Sequence, residues 1–429
     1  MRVVVVALGK IGLPLATYIA RCGHEVVGCD IDADVVDVIN AGASPFPGEA
    51  GLDEALAQVV ADGRLRATAD TTAAVAGGPD LVVAVPPLYV DEHARADWRS
   101  VDAVCAAIGR GLRAGTTVSL ETTVPVGTTR RRVAPALAAS SGLRAGADFH
   151  VVFSPERVSS GSVFRDLDSY PKLVGGLDSA GERRGVDLYE RFIAAEVRAM
   201  GSAEAAELTK LAETTYRDVN IAYANELARY ADRLGLDVQR VIEAANSQPY
   251  SHVHKPGIAV GGHCIPVYPH FLLAGDPRAR LPRVAREVNG AMPAYAVDLL
   301  EAALDGALAG RTILILGVAY RGGVKELAFS GAAALRDELT ARGARPLASD
   351  PLYCPAELSA AGYEPWAAGE TVAAAIVQTD HEQYRSLGPG DVGGAAVVLD
   401  GRGVLDHEAF ASLGVRVLRI GRPAQPDGP

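Results

Sequence analysis

The chain has 429 residues, 49% hydrophobic and 22% charged, with a formal net charge of −11. At roughly 100–200 residues per domain this means two to three globular domains, and it excludes disordered, collagenous and coiled-coil chains. The charges are dispersed and acidic on balance, which argues against nucleic acid as a partner.

The five cysteines (Cys22, Cys29, Cys105, Cys264, Cys354) form no CxxC pair, so reduced thiols and a cytoplasmic location are expected. No stretch of 18 uncharged apolar residues occurs, so no membrane partner is expected, and Gly9 and Lys10 interrupt the opening before it could act as a signal peptide. Only five of the 41 basic residues are lysines (Lys10, Lys172, Lys210, Lys255, Lys325), so each lysine is a candidate for a specific role.

In chain order, the β-branched run Val3–Val6 predicts a strand, Leu13–Ala20 a helix, and Glu25–Cys29 a second strand ending at Asp30. Buried strands are predicted at 80–85, 117–120 and 150–153, separated by Ala-rich helical stretches. This alternation points to a parallel, doubly wound sheet. From Ala203 to Ala245 the pattern is helical only, as one long helix or a pair, and a Gly/Pro-rich loop, Pro256–Pro269, precedes further helix to about Ala309. A second α/β region opens with a strand at 312–316, followed by a helix at 331–342 and strands at 345–349, 374–378 and 396–399. The expected fold class is α/β: two Rossmann-like doubly wound parallel-sheet domains joined by a central helical segment, with divisions at 1–200, 201–309 and 310–429.

Ala7-Leu8-Gly9-Lys10-Ile11-Gly12 is an A-x-G-x-x-G variant of the dinucleotide fingerprint. Gly9 would admit a pyrophosphate close to the backbone, Gly12 would pack helix on strand, and the helix N-terminus supplies donors. Asp30, 18 residues past Gly12, can accept from both ribose hydroxyls, and its charge favours NAD over a 2′-phosphate. Cys264 lies in Gly261-Gly262-His263-Cys264-Ile265-Pro266, where it is either a nucleophile or a small core hydrophobe. The nearby His252, His254, His263 and His270 lack a second cysteine or an HExxH pattern, so they read as hydrogen-bonded loop residues and no metal is expected. Lys210 stands between Glu207 and Glu213 at helical spacing, and its default reading is an exposed ion pair.

These residues carry a resemblance that runs from end to end: ALGKIGLPLA, LETTVPVGTT at 120–129, SPERV at 154–158, ELTKLAETTYRDVNIAYANE at 207–226, GGHCIPV at 261–267, LGVAYR at 316–321, SDP at 349–351 and LDGR at 399–402. The chain resembles the nucleotide-sugar 6-dehydrogenases, the UDP-glucose/GDP-mannose dehydrogenase family, and most the branch acting on UDP-N-acetylhexosamines. The resemblance implies an NAD-binding domain at 1–200, a helical homodimer-forming region with the catalytic Cys loop at 201–309, and a nucleotide-sugar-binding domain at 310–429. It also implies oxidation of a C6 alcohol to the acid, with NAD as cofactor, through a thiohemiacetal and a thioester.

By resemblance Cys264 is the nucleophile, Lys210 the cation facing developing oxyanions, Glu156 the base in hydrolysis and Thr123 a water-positioning residue. Gly9, Lys10, Ile11, Gly12, Asp30, Val85, Pro86 and Thr123 would meet the cofactor. Glu156, Arg157, Lys210, Tyr250, Gly261, Gly262, Tyr268, Arg321 and Arg402 would meet the nucleotide-sugar substrate.

Several positions depart from the family pattern. Thr214 stands for an Asn, Tyr268 for an Asp, and Gln248-Pro249-Tyr250 for an H-P-R loop. Val85-Pro86-Pro87-Leu88 replaces V-P-T-P, and Arg321–Gly331 has lost most of a K-P-D-x-D-D-x-R-x-S-P stretch. These losses keep alternatives in view: oxidation stopping at the aldehyde, transient oxidation for epimerisation, or a catalytically silent nucleotide-sugar-binding subunit.

Overall fold

The four valines of the opening run are all buried and form strand β1 (Arg2–Val6). β-branched residues suit a pleated, enclosed surface, and a strand covered on both faces has no need to alternate with polar positions. In the computed structural model, which describes residues 1–46, 48–91, 94–159 and 161–422, β1 is an interior strand of the first sheet.

The other strands of this region are β2 (Glu25–Cys29), β3 (Leu65–Thr68), β4 (Leu81–Ala84), the antiparallel pair β5 (Tyr89–Val90) and β6 (Ala96–Asp97), β7 (Thr117–Leu120), β8 (His150–Phe153), β9 (Lys172–Gly176) and β10 (Val197–Ala199). The eight-stranded sheet runs β10-β9-β8-β7-β4-β1-β2-β3. All its pairs are parallel except β8 with β9, so the doubly wound sheet is mostly parallel. Among its described residues the link from β8 to β9 carries one short helix, Val163–Ser169, and the reversed direction of β9 removes the need for a full crossover.

The helices are Ala203–Leu234 and Val238–Ala245, which resolves the single-or-pair question as a pair, then Tyr268–Gly275, Leu281–Gly290 and Met292–Ala303. Asp237 caps the second by accepting from the Gln239 amide. The second sheet uses β11 (Thr312–Leu316), β12 (Arg345–Ser349), β13 (Glu364–Pro365), β14 (Ala374–Val377), β15 (Val397–Asp400) and β16 (Arg416–Leu418), all parallel, in the order β13-β12-β11-β14-β15-β16.

The described residues fall into two compact units, Met1–Glu213 with His270–Pro277, and Thr214–Pro269 with the chain from Arg278 onward. Each has its own core. In the first, Val3, Val5, Leu81 and Val83 pack with Leu13, Ala16 and Ile19 of the helix Gly12–Arg21. In the second, Ile313, Ile315 and Ile376 pack with Ala224 and Ala228 of the long helix and with Val297 and Leu300. The strand order reverses between β1 and β4 in one sheet and between β11 and β14 in the other. A crevice opens at the carboxyl ends of strands at such a switch point.

Candidate active site

The first switch point carries the glycine turn. Ala7 takes a left-handed φ of 73°, the conformation a tight strand-to-helix turn demands and one that glycine adopts more cheaply. A Cβ on Gly12 would lie 2.0 Å from the Ala7 carbonyl oxygen, so this position admits only glycine, whereas a Cβ on Gly9 would meet nothing within 4 Å. The open side at Gly9 and the helix N-terminus behind it fit a pyrophosphate group. Asp30, just past β2, accepts from the Leu8 amide at 2.8 Å and the Asp32 amide at 3.1 Å, which fixes its carboxylate beside the turn. Ile31, next to it, is 94% exposed and offers an apolar surface there. Lys10 is exposed and Ile11 precedes the helix.

On the other side of the switch point, Val85 bonds back to Val6, Pro86 accepts from the Thr122 hydroxyl at 2.5 Å, and Thr123 is buried just past β7. Glu207 of the long helix holds the following turn: its carboxylate accepts from the Gly127 and Thr129 amides and the Thr129 hydroxyl. The expected pairing of Lys210 with Glu207 or Glu213 is therefore corrected. Glu207 is engaged at that turn, Glu213 pairs with Arg157, and Lys210 is buried with its Nζ 2.5 Å from the Glu156 carbonyl oxygen.

The Glu156 side chain belongs to a buried cluster. Lys172 Nζ, at the start of β9, lies 2.8 Å from Glu121 Oε2 and 3.0 Å from Glu156 Oε2. Glu121 also accepts from the Tyr189 hydroxyl, which lies 2.8 Å from Ser119 Oγ. Burial lifts the Glu121 carboxyl to about 7 against the pull of Lys172. Burial pushes Glu156 the same way, but there the Lys172 ammonium and the backbone amide of Arg157 prevail and hold it below the usual carboxylate range. Burial works against the charge of Lys172, yet its two carboxylates keep it above the ordinary ammonium value.

In the second unit Cys264 is exposed, and its carbonyl accepts the amides of Val267 and Tyr268 at the start of the helix Tyr268–Gly275. Two glycines let this loop lie against the loop after β11. A Cβ on Gly261 would come within 2.8 Å of Tyr320 and 2.9 Å of the Phe329 carbonyl, and Gly262, at φ 91°, donates its amide to the Ala328 carbonyl at 3.1 Å. Arg402, past β15, donates to the Gln378 carbonyl at 2.6 Å and reaches that of Tyr320 at 3.4 Å. Gly261, Gly262, Arg321 and Arg402 thus gather at the carboxyl ends of β11, β14 and β15, while Tyr250 is 93% exposed on its own loop.

The Cys loop is tied at both ends by a buried amide network. Asn225 Oδ1 accepts from the Gly257 amide at 2.9 Å and its Nδ2 donates to Asn289 Oδ1 at 2.9 Å. Asn289 Nδ2 donates to Asp218 Oδ1 at 2.8 Å, and Arg286 lies 3.3 Å from the same oxygen and 3.5 Å from the Ile265 carbonyl.

Three family descriptions match the chain in succession: the UDP-glucose/GDP-mannose dehydrogenase family NAD binding domain over residues 1–193, its central domain over 204–290 and its UDP binding domain over 314–407. The chain belongs to the UDP-glucose/GDP-mannose dehydrogenase family. It is accordingly an NAD-dependent nucleotide-sugar dehydrogenase. It is 33% identical to a UDP-N-acetyl-D-mannosamine dehydrogenase of Pyrococcus horikoshii, over 94% of this chain and 96% of that one. An NDP-N-acetyl-D-galactosaminuronic acid dehydrogenase of Ralstonia nicotianae is 33% identical, over 95% and 97%. The solved structure of UDP-D-ManNAc dehydrogenase from Pyrococcus horikoshii superposes with a TM-score of 0.87 at 31% identity, covering 99% of this chain and all of that one.

Within this family member, the first unit brings Glu156, Arg157 and Lys210 together and sets the cofactor turn beside Asp30. The second brings the Cys264 loop to Arg321 and Arg402. Sequence reasoning missed Glu121, Lys172, Tyr189 and the asparagine network. Only Lys172 carried a signal, as one of five lysines in an arginine-rich chain.

Asn225→Leu leaves the Gly257 amide without its acceptor and Asn289 without its donor. We expect a loss of about 1–3 kcal/mol in chemical denaturation and faster alkylation of Cys264 by iodoacetamide. An unchanged alkylation rate would mean the network does not hold the loop.

Proposed function

We propose that the chain oxidises the C6 alcohol of a UDP-N-acetylhexosamine to the uronic acid, with Cys264 as the nucleophile. The observation that carries this reading is the buried Lys210 ammonium directed at the backbone of Glu156, which joins two residues of the proposed chemistry in one place. The substrate class rests on the relatives, whose names specify N-acetylhexosamine nucleotides.

Gly9, Lys10, Ile11, Gly12, Asp30, Val85 and Pro86 would hold NAD, which would supply the hydride acceptor twice per sugar. The alcohol loses a hydride and a proton to become the aldehyde, and the Cys264 thiolate adds to that carbon to give a thiohemiacetal. Loss of the second hydride leaves a thioester, and water attacks it, with the thiolate as leaving group. Lys210 steadies the oxyanion of each tetrahedral stage, Thr123 positions the attacking water, and Glu156 takes its proton. Arg321 and Arg402 grip the nucleotide, and Arg157, Tyr250, Gly261, Gly262 and Tyr268 meet the sugar.

In this reading residues 1–200 bind the cofactor, 201–309 carry the Cys loop and the dimer contact, and 310–429 bind the nucleotide. The enzyme works in the cytoplasm, where its free cysteines stay reduced. Tyr216, Tyr223 and Tyr230 recur every seven residues on the long helix and are each more than half exposed, an aromatic stripe suited to a homodimer contact. Tyr223→Glu should sediment as a monomer where the parent sediments as a dimer; a monomeric parent removes the dimer.

Thr214 and Tyr268 favour a second reading in which the reaction stops at the aldehyde, because neither supplies the amide and carboxylate of the family pattern. NADH formed per sugar separates the outcomes: two for the acid, one for the aldehyde, none for a silent subunit. We expect two. Cys264→Ser should stall before the acid, and Lys210→Ala should lower kcat by ~10²–10³-fold, the usual cost of losing one oxyanion donor. Full turnover by Cys264→Ala would remove the covalent route.

Asp30 should set the cofactor preference. We expect kcat/KM for NAD to exceed that for NADP by roughly 10- to 150-fold, about 1.4–3 kcal/mol, through repulsion of the 2′-phosphate and loss of ribose hydrogen bonds. Equal efficiency with both cofactors would dissociate Asp30 from the ribose.

A further inference from the structure

The proposed reaction leaves Glu121, Lys172 and Tyr189 without a task, although burying them is costly. The ammonium of Lys172 is enclosed between two carboxylates, at 2.8 Å from Glu121 and 3.0 Å from Glu156. An exposed base needs no such arrangement. A lone ammonium partner would be enough to keep Glu156 charged, and the second carboxylate gives the cluster a net charge of −1, with room for one more proton.

We propose that Glu121 and Lys172 relay the proton that Glu156 takes from water during thioester hydrolysis. The step balances within the cluster. Lys172 first gives one of its protons to Glu121, and the neutral amine this leaves takes the proton from Glu156, so Glu156 is again a carboxylate, Lys172 is again an ammonium, and Glu121 is the neutral acid. Tyr189 donates its hydroxyl to Glu121 and Ser119 stands at 2.8 Å from that hydroxyl, so the receiving carboxyl is held in place. Lys172 also lines a small pocket with Glu156, Arg157, Asp166 and Tyr170 that has room for about one water, so Glu121 returns the proton to solvent by handing it back through Lys172 to that water once the thioester is gone.

Glu121 receives a proton only when it is ionised, and burial places that ionisation at about 7. The groups facing the cluster are Lys172 from β9, Tyr189 from the helix Ser179–Tyr189, Lys210 and the Arg157-paired Glu213 from the long helix, and Asp166 from the helix Val163–Ser169. Asp166 is held below the usual carboxylate range, burial notwithstanding, by the Ser159 amide and Arg165, and Tyr189 is pushed well above its ordinary value by burial and by Glu121. Neither changes charge near neutrality. With Glu121 neutral at low pH the relay is blocked, and it opens as pH rises.

The inference rests on Glu156 acting as the base, and the experiment separates the two. Acid release and the first NADH burst are measured from pH 5.5 to 9 in the parent, Glu121→Gln, Lys172→Arg and Glu156→Gln, with thermal melting as the folding check. In the parent, acid release should rise with pH through a limb near 7 while the burst does not. In Glu121→Gln that limb should vanish, and acid release at pH 8 should fall on the order of tenfold with the KM for the nucleotide sugar unchanged. Lys172→Arg keeps the positive charge but cannot give up a proton at these pH values, so it should melt like the parent and still lose the limb; a purely structural lysine would be rescued. Folded Glu121→Gln and Lys172→Arg enzymes with the parent's profile overturn the relay and leave the base reading intact, whereas parental acid release by Glu156→Gln removes both. Should the variants fail to fold, a parent profile without a limb near 7 overturns the relay by itself.

Discussion

An ammonium ion removed from water must find carboxylates, and in this protein that requirement falls on Lys172. Removing one partner of a buried ion pair typically costs about 3–5 kcal/mol, so Glu121, Glu156 and Lys172 cannot move apart independently. The three sit at the ends of neighbouring strands: Glu121 just past β7, Glu156 just past β8, and Lys172 at the start of β9. Lys172 reaches the other two because β9 is antiparallel to β8. A parallel β9 would put its first residue at the opposite edge of the sheet. The single break in the parallel pattern therefore brings a cation to the carboxylates, and Lys210 on the long helix closes over the same loop through the Glu156 carbonyl.

The second unit solves a different problem with two asparagines and one ion pair. Cys264 is exposed, and the loop that carries it needs more than the buried Ile258 and Val267 to fix its backbone. Asn225 and Asn289 bond one end of the loop, and Arg286, paired with Asp218, reaches the carbonyl of Ile265 at the other. Gly261 and Gly262 let the backbone approach Tyr320 and the 328–329 carbonyls where any side chain would collide. Burial pushes the Asp218 carboxyl up and the Arg286 guanidinium down, and the pair offsets part of each shift. The loop is thus positioned by hydrogen bonds whose loss would leave buried polar groups unmatched.

Both units repeat one architectural rule. Each sheet reverses its strand order once, and in each the residues proposed for binding lie at the carboxyl ends beside that reversal: the glycine turn, Val85, Pro86 and Thr123 in the first, and Arg321 and Arg402 in the second. In both, a carboxylate past the second strand accepts the amides of the first turn. Asp30 does so for Leu8, and Asp350 for Val318 and Ala319. Asp350 also bonds the buried His381 at 3.1 Å, whereas Asp30 remains at the surface beside Ile31, where a ribose can reach it.

The sequence by itself determined the strands that are mostly apolar, β1, β2, β4, β7, β8, β11, β12, β14 and β15, because short aliphatic runs bounded by turn residues leave few alternatives. It also determined the cofactor turn, whose glycine spacing reflects local backbone geometry, and the family, whose motifs span the chain. It did not reveal β3 (LRAT), β10 (VRA) or β16 (RVL), which are too short and polar to have a period and are strands because a neighbouring edge offers hydrogen bonds. Nor did it reveal the partners of Lys210, since helical spacing places Glu207 and Glu213 within reach while the fold engages both elsewhere. The tertiary structure alone decided that Glu121, Lys172 and Tyr189 form one cluster. They are separated by 51 and 68 residues from Glu121, and electrostatic coupling depends on distance in space, which local sequence does not encode.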